Sequence, residues 1–472
     1  MQEKRVTPRW RLKPTEQRAV LILGDLIAGY LALLVALYLW AAGDAWLQFS
    51  LEFLKTRPDP WFYLLPIFWV VLLVDTYDLN KVGNLQLTMR GVGVSTLAAT
   101  FFYLIIYFSM PPQTLPRRGV ALFVIFVVIF TLIWRFIYVR SFQAASRSKR
   151  VLIIGAGKAG STLVDVITDR NPPPFNLIGL IDDDPEKLGK RIRDFEVFGD
   201  HTQLFDIIYQ RGITDLILAI SGPIQHGMFQ NLLMAQEQGL DISTMQEVYE
   251  SLLGRVPINL LDSEWIIRSF VSHTPNGGFY RLFKRLMDLL ISMVGMVFLV
   301  VLFPIIAVLI LIDSGSPVIY SQERLGRGGI PYRIYKFRTM KTNADMEKEG
   351  LVTASNDPRV TRVGRFLRKV HLDELPQVIN VLVGEMSWVG PRSERSELVE
   401  IFQKSVPFYR ARMLVKPGVT GWAQINQPYA ETVEETAIKL EYDLYYIEHA
   451  NILMDITILL RTFGAVLGFK GR

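Results

Sequence analysis

The chain contains a run of 24 residues without a charged side chain, Leu289–Ile312. As one α-helix, at about 1.5 Å per residue, this run would be roughly 36 Å long, which is enough to cross a bilayer. Pro304 removes a backbone donor about two-thirds of the way along and predicts a kink. Both flanks are basic, which favours the cytoplasm for both ends; the flanking residues are Arg281, Lys284, Arg285, Arg324, Arg327 and Arg333. We therefore predict a kinked re-entrant hairpin in one leaflet, with a plain transmembrane helix as the alternative.

Four more apolar segments open the chain, at residues 19–42, 61–74, 91–110 and 119–134. A helical span needs about 20 residues, so the second and fourth segments must be extended by flanking aromatic and apolar side chains. For the second segment a buried soluble helix is the alternative interpretation. Basic residues gather before the first segment and after the fourth, although Arg117 and Arg118 lie in the loop before the fourth. This pattern predicts four spans with both ends in the cytoplasm.

From residue 150 the pattern changes to that of a soluble α/β domain. Residues 151–154, 177–181 and 215–220 are short apolar runs typical of buried strands, and G-A-G-K-A-G follows the first of them. Gly155, Gly157 and Gly160 predict a Rossmann-like turn into a helix, with Asp182 at nearly ribose-binding spacing. Nucleotide binding and a purely structural glycine turn remain about equally favoured by this motif. Residues 253–278, which are rich in Pro and Gly, are predicted to be a connector.

Composition excludes two classes of site. The chain has no cysteine, so neither disulfides nor thiolate metal sites can form. The net charge of +6 is modest, and the sequence shows neither a continuous basic stripe nor a nucleic-acid motif. We therefore expect no nucleic-acid partner. Instead, the basic residues lie beside apolar segments, where they would meet anionic lipid headgroups.

The chemistry-bearing stretch is residues 365–425. It contains R-F-L-R-K-V-H-L-D-E-L-P-Q, G-E-M-S-W-V-G-P-R-S and K-P-G-V-T-G-W-A-Q-I. The adjacent acids Asp373 and Glu374 stand among Arg365, Arg368 and Lys369, with Arg392 further along. An Asp can attack phosphorus, and guanidinium groups can neutralise the charge on a transferring phosphoryl group. The alternative for an isolated Asp-Glu pair is an ordinary solvated ion-pair network.

Several motifs in order resemble the bacterial sugar transferases of the polyprenyl-phosphate hexose-1-phosphate transferase family, the monotopic phosphoglycosyl transferases. Besides those above, they are K-R-L-M-D at 284–288, S-P-V-I-Y-S-Q-E-R-L-G at 316–326 and Y-K-F-R-T-M at 335–340. The layout resembles the large form of the family. It implies a multidomain membrane protein: a four-helix transmembrane bundle (1–145), a Rossmann-like accessory domain (146–252), the connector, and a mostly α-helical catalytic domain (279–472) with a re-entrant helix at 282–312.

The resemblance also implies roles for individual residues. Asp373 would be the nucleophile, and Glu374 would position Asp373 or Mg²⁺, so that both acids are candidate metal ligands. Arg368 and Arg392 match positions that hold phosphate, and Arg338 is expected to line the same pocket. The membrane-interface set is Lys284, Arg285, Asp288 and Pro304, which would anchor the re-entrant helix. His371, where the family more often has Ser, is assigned no catalytic role.

The expected activity is the transfer of a sugar-1-phosphate from a UDP-sugar to undecaprenyl phosphate, with release of UMP, through an aspartyl-phosphosugar intermediate. Such a reaction would initiate exopolysaccharide, capsule or O-antigen synthesis at the bacterial inner membrane, with the soluble domains in the cytoplasm. Mg²⁺ is the expected cofactor, since a hard cation suits a diphosphate. Two alternatives remain: a membrane-tethered Rossmann oxidoreductase or dehydratase, and a non-catalytic nucleotide-sensing scaffold. A homodimer, the identity of the sugar and the pathway are left open.

Overall fold

A computed structural model describes residues 14–43, 46–77, 82, 85–109, 117–146, 149–170, 173–220, 222–260, 277–341, 359–427 and 432–467. The chain forms two compact units, Met1–Val248 and Tyr249–Arg472. The basic residues before position 14 and most of the predicted connector, residues 261–276, lie outside the described part. The boundary precedes the connector that the sequence indicated, because residues 249–260 pack within the second unit.

The first unit begins with apolar helices. They are α1 (Pro14–Ala41), α2 (Leu51–Thr56), α3 (Leu65–Leu72), α4 (Leu85–Ser109) and α5 (Arg117–Ser146). Among the described residues, Glu16–Ala41, Arg117–Ser141 and a helix of the second unit, Gly278–Ser314, are long and apolar enough to cross a membrane. The second predicted segment is a 3₁₀ turn, Pro60–Leu64, followed by the short helix α3. These elements fit a membrane protein, whereas a bundle of four spans stays a prediction.

A buried ion pair joins α1 to α5. Arg135 Nη2 lies 2.6 Å from Asp25 Oδ2, and both side chains are almost fully buried. The same guanidinium donates to the carbonyl oxygen and the hydroxyl of Thr76, each at 2.8 Å. Charges inside an apolar bundle are stable only when they are paired in this way. Apolar helix patterns in the sequence did not reveal this pairing.

The rest of the first unit is a parallel sheet flanked by helices, as the sequence predicted. Its strands are β1 (Arg150–Ile154), β2 (Asn176–Ile181), β5 (Asp215–Leu218) and β6 (Asp241–Thr244), in the order β2-β1-β5-β6. The small hairpin β3 (Arg191–Ile192) and β4 (Phe195–Glu196) follows β2. The helices are α6 (Lys158–Thr168), α7 (Leu204–Arg211), α8 (His226–Glu237) and α9 (Met245–Leu253), the last of which crosses the boundary between the units.

The second unit is built along one long helix, α10 (Gly278–Ser314), which remains helical through Pro304. One face carries buried residues, namely Asp288, Ser292, Leu299, Ile306 and Ile310. The opposite face is apolar and exposed, as at Leu290, Val294, Val297, Val301, Val308 and Ile312. An amphipathic arrangement of this kind places one side of α10 against protein and leaves the other for lipid.

The remaining elements of the second unit position the candidate site. They are the antiparallel hairpin β7 (Ile319–Leu325) and β8 (Pro331–Phe337), α11 (Arg362–Lys369), a 3₁₀ turn (Leu372–Gln377), α12 (Val378–Val383), β9 (Ser387–Val389), α13 (Ser396–Ser405), β10 (Gly418–Thr420), α14 (Trp422–Asn426), α15 (Val433–His449) and α16 (Ile452–Leu467). Val256 and Ile258 lie in their hydrophobic core with Leu444 and Ile458. The start of the predicted connector is thus part of this core.

Candidate active site

The acid pair sits on a short 3₁₀ turn directly after α11. Thr361 caps α11 by accepting a hydrogen bond from Gly364 N. His371 then adopts a left-handed conformation, with φ of 58°, and the turn Leu372–Gln377 begins. This conformation is uncommon for a residue with a side chain and reverses the chain sharply. Asp373 and Glu374 are therefore held in the first turn of the new element, next to β8.

Two cations hold Glu374. Lys336 Nζ lies 2.6 Å from Glu374 Oε1, and Arg392 Nη2 lies 2.7 Å from the same oxygen. Burial alone would raise the pKa of Glu374, but Arg392 and Lys336 outweigh it and hold this pKa well below its usual range. Glu374 is thus a fixed anion that brings two cations together. Lys336 belongs to Y-K-F-R-T-M, yet sequence reasoning missed it, because its partner lies 38 residues away.

Asp373 has a different environment. Its side chain is buried, and within the described residues its carboxylate has no hydrogen-bond partner. Burial and the neighbouring Glu374 raise the pKa of Asp373, while Lys336, Arg368 and Arg392 partly offset that rise. A desolvated carboxylate near three cations, with its oxygens uncommitted, is suited to attack an electrophile or to accept a cation. The structure thus gives the two adjacent acids different environments.

The loop that carries Arg392 is tied down by further arginines. Arg412 Nη2 donates to Arg392 O at 3.0 Å, and Arg324 Nη1 donates to Ser393 O at 2.7 Å. Glu394 accepts from Lys439 Nζ at 3.0 Å. Although burial opposes it, Lys439 and Arg412 lower the pKa of Glu394 to about 2. These contacts fix the backbone that aims Arg392 at the acid pair.

The other two predicted phosphate-binding arginines occupy different places. Arg368 Nε donates to Thr339 Oγ1 at 2.9 Å, and its charge acts on Asp373. Arg338 Nη2 instead donates to the carbonyl oxygens of Ser314 and Gly315, at the C-terminal end of α10. Arg338 therefore interacts with a helix terminus, where cations are favoured. Its assignment to the phosphate pocket stays a prediction.

The predicted membrane-interface residues attach α10 to the second unit. Lys284 Nζ lies 2.9 Å from Asp455 Oδ2 on α16. Arg285 donates to Val381 O and Leu382 O, both at 2.7 Å. Two further contacts come from Asp288, whose Oδ1 accepts from Ser387 Oγ at 3.0 Å and from Trp388 N at 2.9 Å. We expected Arg or Lys near lipid headgroups, whereas the described contacts of Lys284 and Arg285 are with protein.

The far end of α10 contacts the same unit. Asp313 Oδ2 accepts from Val363 N at 2.9 Å, at the start of α11. Leu299, Ile306 and Ile310 pack in a cluster with Phe337 and other residues of this region. Pro304 lies between these anchor points and within the continuous helix. Both ends of α10 are therefore fixed to one compact unit.

In the Rossmann-like domain, the glycine turn interacts with its own carboxylate. Gly155 has a φ of +108°, and a side chain there would collide with the backbone of Ala219. Asp182 Oδ2 accepts from Ala156 N at 2.6 Å, and Asp182 also contacts Lys187 Nζ. The acid at the position that binds ribose in a Rossmann fold is thus bonded here to the backbone and to Lys187. The predicted nucleotide-binding role of Gly155, Gly157, Gly160 and Asp182 stays a prediction.

The acid pair fits a magnesium ion only in part. Mg²⁺ is commonly bound through one or two carboxylates together with substrate phosphates. Asp373 has oxygens free for this purpose among the described residues, whereas Glu374 Oε1 is already shared by two cations. A second metal ligand from Glu374 would have to come from its other oxygen. Asp373 and the phosphates of a substrate are thus the better donor set.

Taken together, fold and site define a class: a membrane protein that holds an acid pair and several cations suited to phosphate chemistry beside a long apolar helix. Sequence comparison agrees. Residues 279–469 match the family described as bacterial sugar transferase, and residues 73–226 match a CoA-binding domain. An undecaprenyl-phosphate glucose phosphotransferase of Komagataeibacter xylinus is 30% identical over 83% of this chain and 73% of its own length. The chain belongs to the bacterial sugar transferase family.

Other relatives have a higher sequence identity over a shorter part of the chain. A UDP-N-acetylgalactosamine-undecaprenyl-phosphate N-acetylgalactosaminephosphotransferase of Aeromonas hydrophila is 40% identical over 48% of this chain and 53% of its own length. A UDP-glucose:undecaprenyl-phosphate glucose-1-phosphate transferase of Escherichia coli is 42% identical over 42% of each chain. The match thus spans about half or less of these two relatives. Among solved structures, a Rex-family repressor covers 23% of this chain and 52% of its own at 24% identity, with a TM-score of 0.20.

Proposed function

We propose that this chain transfers a sugar-1-phosphate from a UDP-sugar to undecaprenyl phosphate, forming undecaprenyl-diphospho-sugar and UMP. The observation that carries this proposal is the acid pair itself. Asp373 is a buried carboxylate with no hydrogen-bond partner among the described residues, and it stands beside the fixed anion Glu374, which binds Lys336 and Arg392. The relatives described above are named as transferases that use undecaprenyl phosphate, which supports the proposal. It would initiate synthesis of an exopolysaccharide, capsule or O-antigen.

In this proposal Asp373 is the nucleophile. Its carboxylate oxygen attacks the sugar-bearing phosphorus of the UDP-sugar, the bond from that phosphorus to the bridging oxygen breaks, and UMP leaves. The phosphate oxygen of undecaprenyl phosphate then attacks the same phosphorus and releases the Asp373 carboxylate. A covalent intermediate allows a soluble donor and a membrane-bound acceptor to use one site in turn.

Arg392 and Lys336 are proposed to stabilise the charge that develops on the transferring phosphoryl group. Arg392 is about one-third exposed and its described contact with Glu374 uses Nη2, so we propose that its other guanidinium donors bind the phosphate. A guanidinium can hold two phosphate oxygens at once, which an ammonium group does less well. Lys336 is more buried and acts chiefly by positioning Glu374 and by its charge near Asp373. Arg368 adds a third charge from α11.

Mg²⁺ is proposed as a cofactor held by Asp373 and the substrate phosphates. When bound, it would neutralise charge on the diphosphate. Lys336 and Arg392 occupy Oε1 of Glu374, so any contribution of Glu374 to the metal would come from its other oxygen.

We also propose that α10 enters and leaves one leaflet, so that the catalytic unit lies on the cytoplasmic side of a bacterial inner membrane. A helix that crossed a bilayer would carry its ends to opposite sides, about 30 Å apart. The contacts of Arg285 at one end and Asp313 at the other, both with the same unit, support the one-sided arrangement. The exposed apolar face of α10 would then contact the lipid chains. Four spans in the first unit, as proposed from the sequence, keep both its ends in the cytoplasm.

The decisive experiment is release of UMP from a panel of UDP-sugars with undecaprenyl phosphate and Mg²⁺. The panel includes UDP-glucose and UDP-N-acetylgalactosamine because the relatives are named for both. We expect UMP and a lipid-linked diphosphate sugar from at least one donor, and neither from Asp373→Asn. Nicotinamide reduction without UMP release would instead support the oxidoreductase alternative. A cellular role that survives Asp373→Asn would support the scaffold.

A further inference from the structure

Three side chains that can bind a metal ion converge at the C-terminal end of α15, among residues that the proposed reaction does not use. Glu250 comes from α9, whereas Glu448 and His449 are neighbours on α15. Each offers one ligand atom, and these atoms all lie within 4.8 Å of one another. Glu250 and His449 are 199 positions apart in the chain, so only the fold of the second unit brings the three donors together.

The distances between these donors suit a divalent cation. Zinc binds imidazole nitrogen and carboxylate oxygen at about 2.0–2.2 Å, so donors on neighbouring corners of its coordination shell lie about 3.0–3.4 Å apart. His449 Nε2 and Glu250 Oε2 are 2.9 Å apart. The widest separation in the cluster, at most 4.8 Å, exceeds the required one by about 1.4 Å, which rotation of a glutamate side chain covers. Little rearrangement would therefore close the three donors around one ion.

Aromatic neighbours hold the imidazole of His449. The ring centroids of Tyr445 and His449 are 4.4 Å apart, and Tyr445 stacks in turn on Trp422 at 5.9 Å. Trp422 Nε1 donates to Gly254 O at 2.7 Å, directly after the end of α9. A metal site is more precise when packing already fixes the orientation of its ligands. The stack of Tyr445 and Trp422 supplies that packing and also contacts the segment that follows α9.

The cluster combines a buried carboxylate with a solvent-accessible histidine. The side chain of Glu250 is 10% exposed, whereas that of His449 is 42% exposed. An ion can therefore enter from solvent at His449, and water can complete its coordination. A carboxylate taken out of water is stable only with a compensating partner. A hydrogen bond from His449 alone is the alternative interpretation of the 2.9 Å contact, whereas a divalent ion would compensate both glutamates at once.

The chemistry of the donors indicates the kind of ion. Imidazole suits zinc and neighbouring transition metals, whereas Mg²⁺ and Ca²⁺ take oxygen donors. We propose that Glu250, Glu448 and His449 bind Zn²⁺, with water in the remaining position, and that the ion fastens the end of α9 to α15. The segment held in this way leads into the hydrophobic core at Val256 and Ile258. The ion has a structural task and is separate from the Mg²⁺ proposed for the candidate active site.

The test measures metal binding by the full-length protein without substrates, so its outcome does not depend on the proposed reaction. Protein in detergent is stripped with a chelator and titrated with Zn²⁺, and both the bound metal and the thermal unfolding midpoint are measured. We expect about one Zn²⁺ per chain, a higher unfolding midpoint, and no displacement of Zn²⁺ by Mg²⁺.

Variants of the ligands assign the binding to this cluster. Zinc affinity should fall at least about tenfold in His449→Ala and in Glu250→Gln, since even changes to outer-shell partners cost about 10- to 100-fold. The matched controls are His226→Ala, at another exposed histidine, and Glu434→Gln, at an exposed position on α15. Both controls should bind Zn²⁺ as the parent protein does.

Glu448→Gln keeps the size of the side chain and its capacity for hydrogen bonds, so it reports on metal binding even where His449→Ala fails to fold. We expect it to lower zinc affinity by a similar factor. Hydrogen exchange of the backbone amides in residues 249–260 should also slow when Zn²⁺ is added, because the ion fastens this segment.

Three results would overturn the proposal. Equal zinc affinity of Glu448→Gln, Glu434→Gln and the parent protein would remove the site. An unfolding midpoint that falls in His449→Ala by the same amount with and without Zn²⁺ would leave only a hydrogen bond between His449 and Glu250. Unchanged hydrogen exchange in the zinc-loaded protein would refute the fastening of α9.

Discussion

Replacement of Lys336 by Met tests whether the cation paired with Glu374 is needed for the proposed reaction of Asp373. Lys336 Nζ lies 2.6 Å from Glu374 Oε1, and both side chains are less than one-fifth exposed. Met has a similar length and no charge, so the change removes the cation and leaves the volume. Glu374 keeps Arg392 as its partner, which should preserve the fold of the turn.

The size of the effect follows from this geometry. A hydrogen bond to a charged group contributes about 1.5–3 kcal/mol. If that contribution is fully expressed in the transition state, kcat/KM falls about 10- to 150-fold, because about 1.4 kcal/mol corresponds to a factor of ten. Lys336 also lowers the pKa of Asp373, against burial and Glu374, which raise it. Its loss must therefore raise this pKa further.

A pH profile of kcat/KM separates this effect from simple loss of structure. Asp373 must be deprotonated to attack, so activity is lost as the pH falls through its pKa. In Lys336→Met the acid limb should move to higher pH, and Lys336→Arg, which keeps the charge, should restore its position. Lys369→Met, at an exposed site on α11, is the matched control and should leave the limb unchanged. An unmoved acid limb with a rate within twofold of the parent would refute the proposed role of Lys336.

Three further predictions concern other parts of the chain. Arg392→Lys should lower the rate about 10²-fold, because an ammonium group cannot replace two guanidinium donors. Steady-state kinetics equal to those of the parent protein would assign Arg392 a structural role. A truncated chain that begins at Met245 should retain transfer activity in detergent. A truncated chain that begins at Gly277 should unfold or lose activity, since it lacks the buried residues Val256 and Ile258. Equal activity of the two truncated chains would contradict the place of Val256 and Ile258 in the core. Reporter tags after residue 150 and at the C-terminus should both lie in the cytoplasm, and a periplasmic C-terminal tag would exclude the one-sided arrangement of α10.

Local patterns predicted much of this fold. The runs at 151–154 and 177–181 lie within β1 and β2. Short apolar runs bounded by Gly and Asp usually form buried strands in an α/β domain. The run at 215–220 was extended two residues too far, since β5 ends at Leu218. Helix α16 has a buried side and an exposed side. Ile458 is buried in the core, while Leu453 is exposed.

Long-range pairing was not predictable from one sequence. The acid pair was recognised through its motif, but its cation Lys336 lies on β8, and only the folded hairpin brings it to Glu374. Asp25 lies within the apolar segment 19–42, and only the structure shows that it pairs with Arg135 on another helix. Similarly, Pro and Gly made residues 253–260 resemble a linker. Val256 and Ile258 in this segment are nevertheless buried in the core of the second unit. In each case the partner is set by tertiary packing rather than by spacing.

The most direct test of the proposed mechanism is the mass of the peptide that contains Asp373 after the protein is mixed with UDP-sugar and Mg²⁺ but no lipid acceptor. The account predicts a burst of at most about one UMP per active site and a phospho-sugar adduct on that peptide. Asp373→Asn should abolish both, whereas Glu374→Gln should slow the burst without moving the adduct. Direct attack by the lipid phosphate would give no UMP before lipid is added and an unmodified Asp373 peptide. That result would contradict the covalent mechanism.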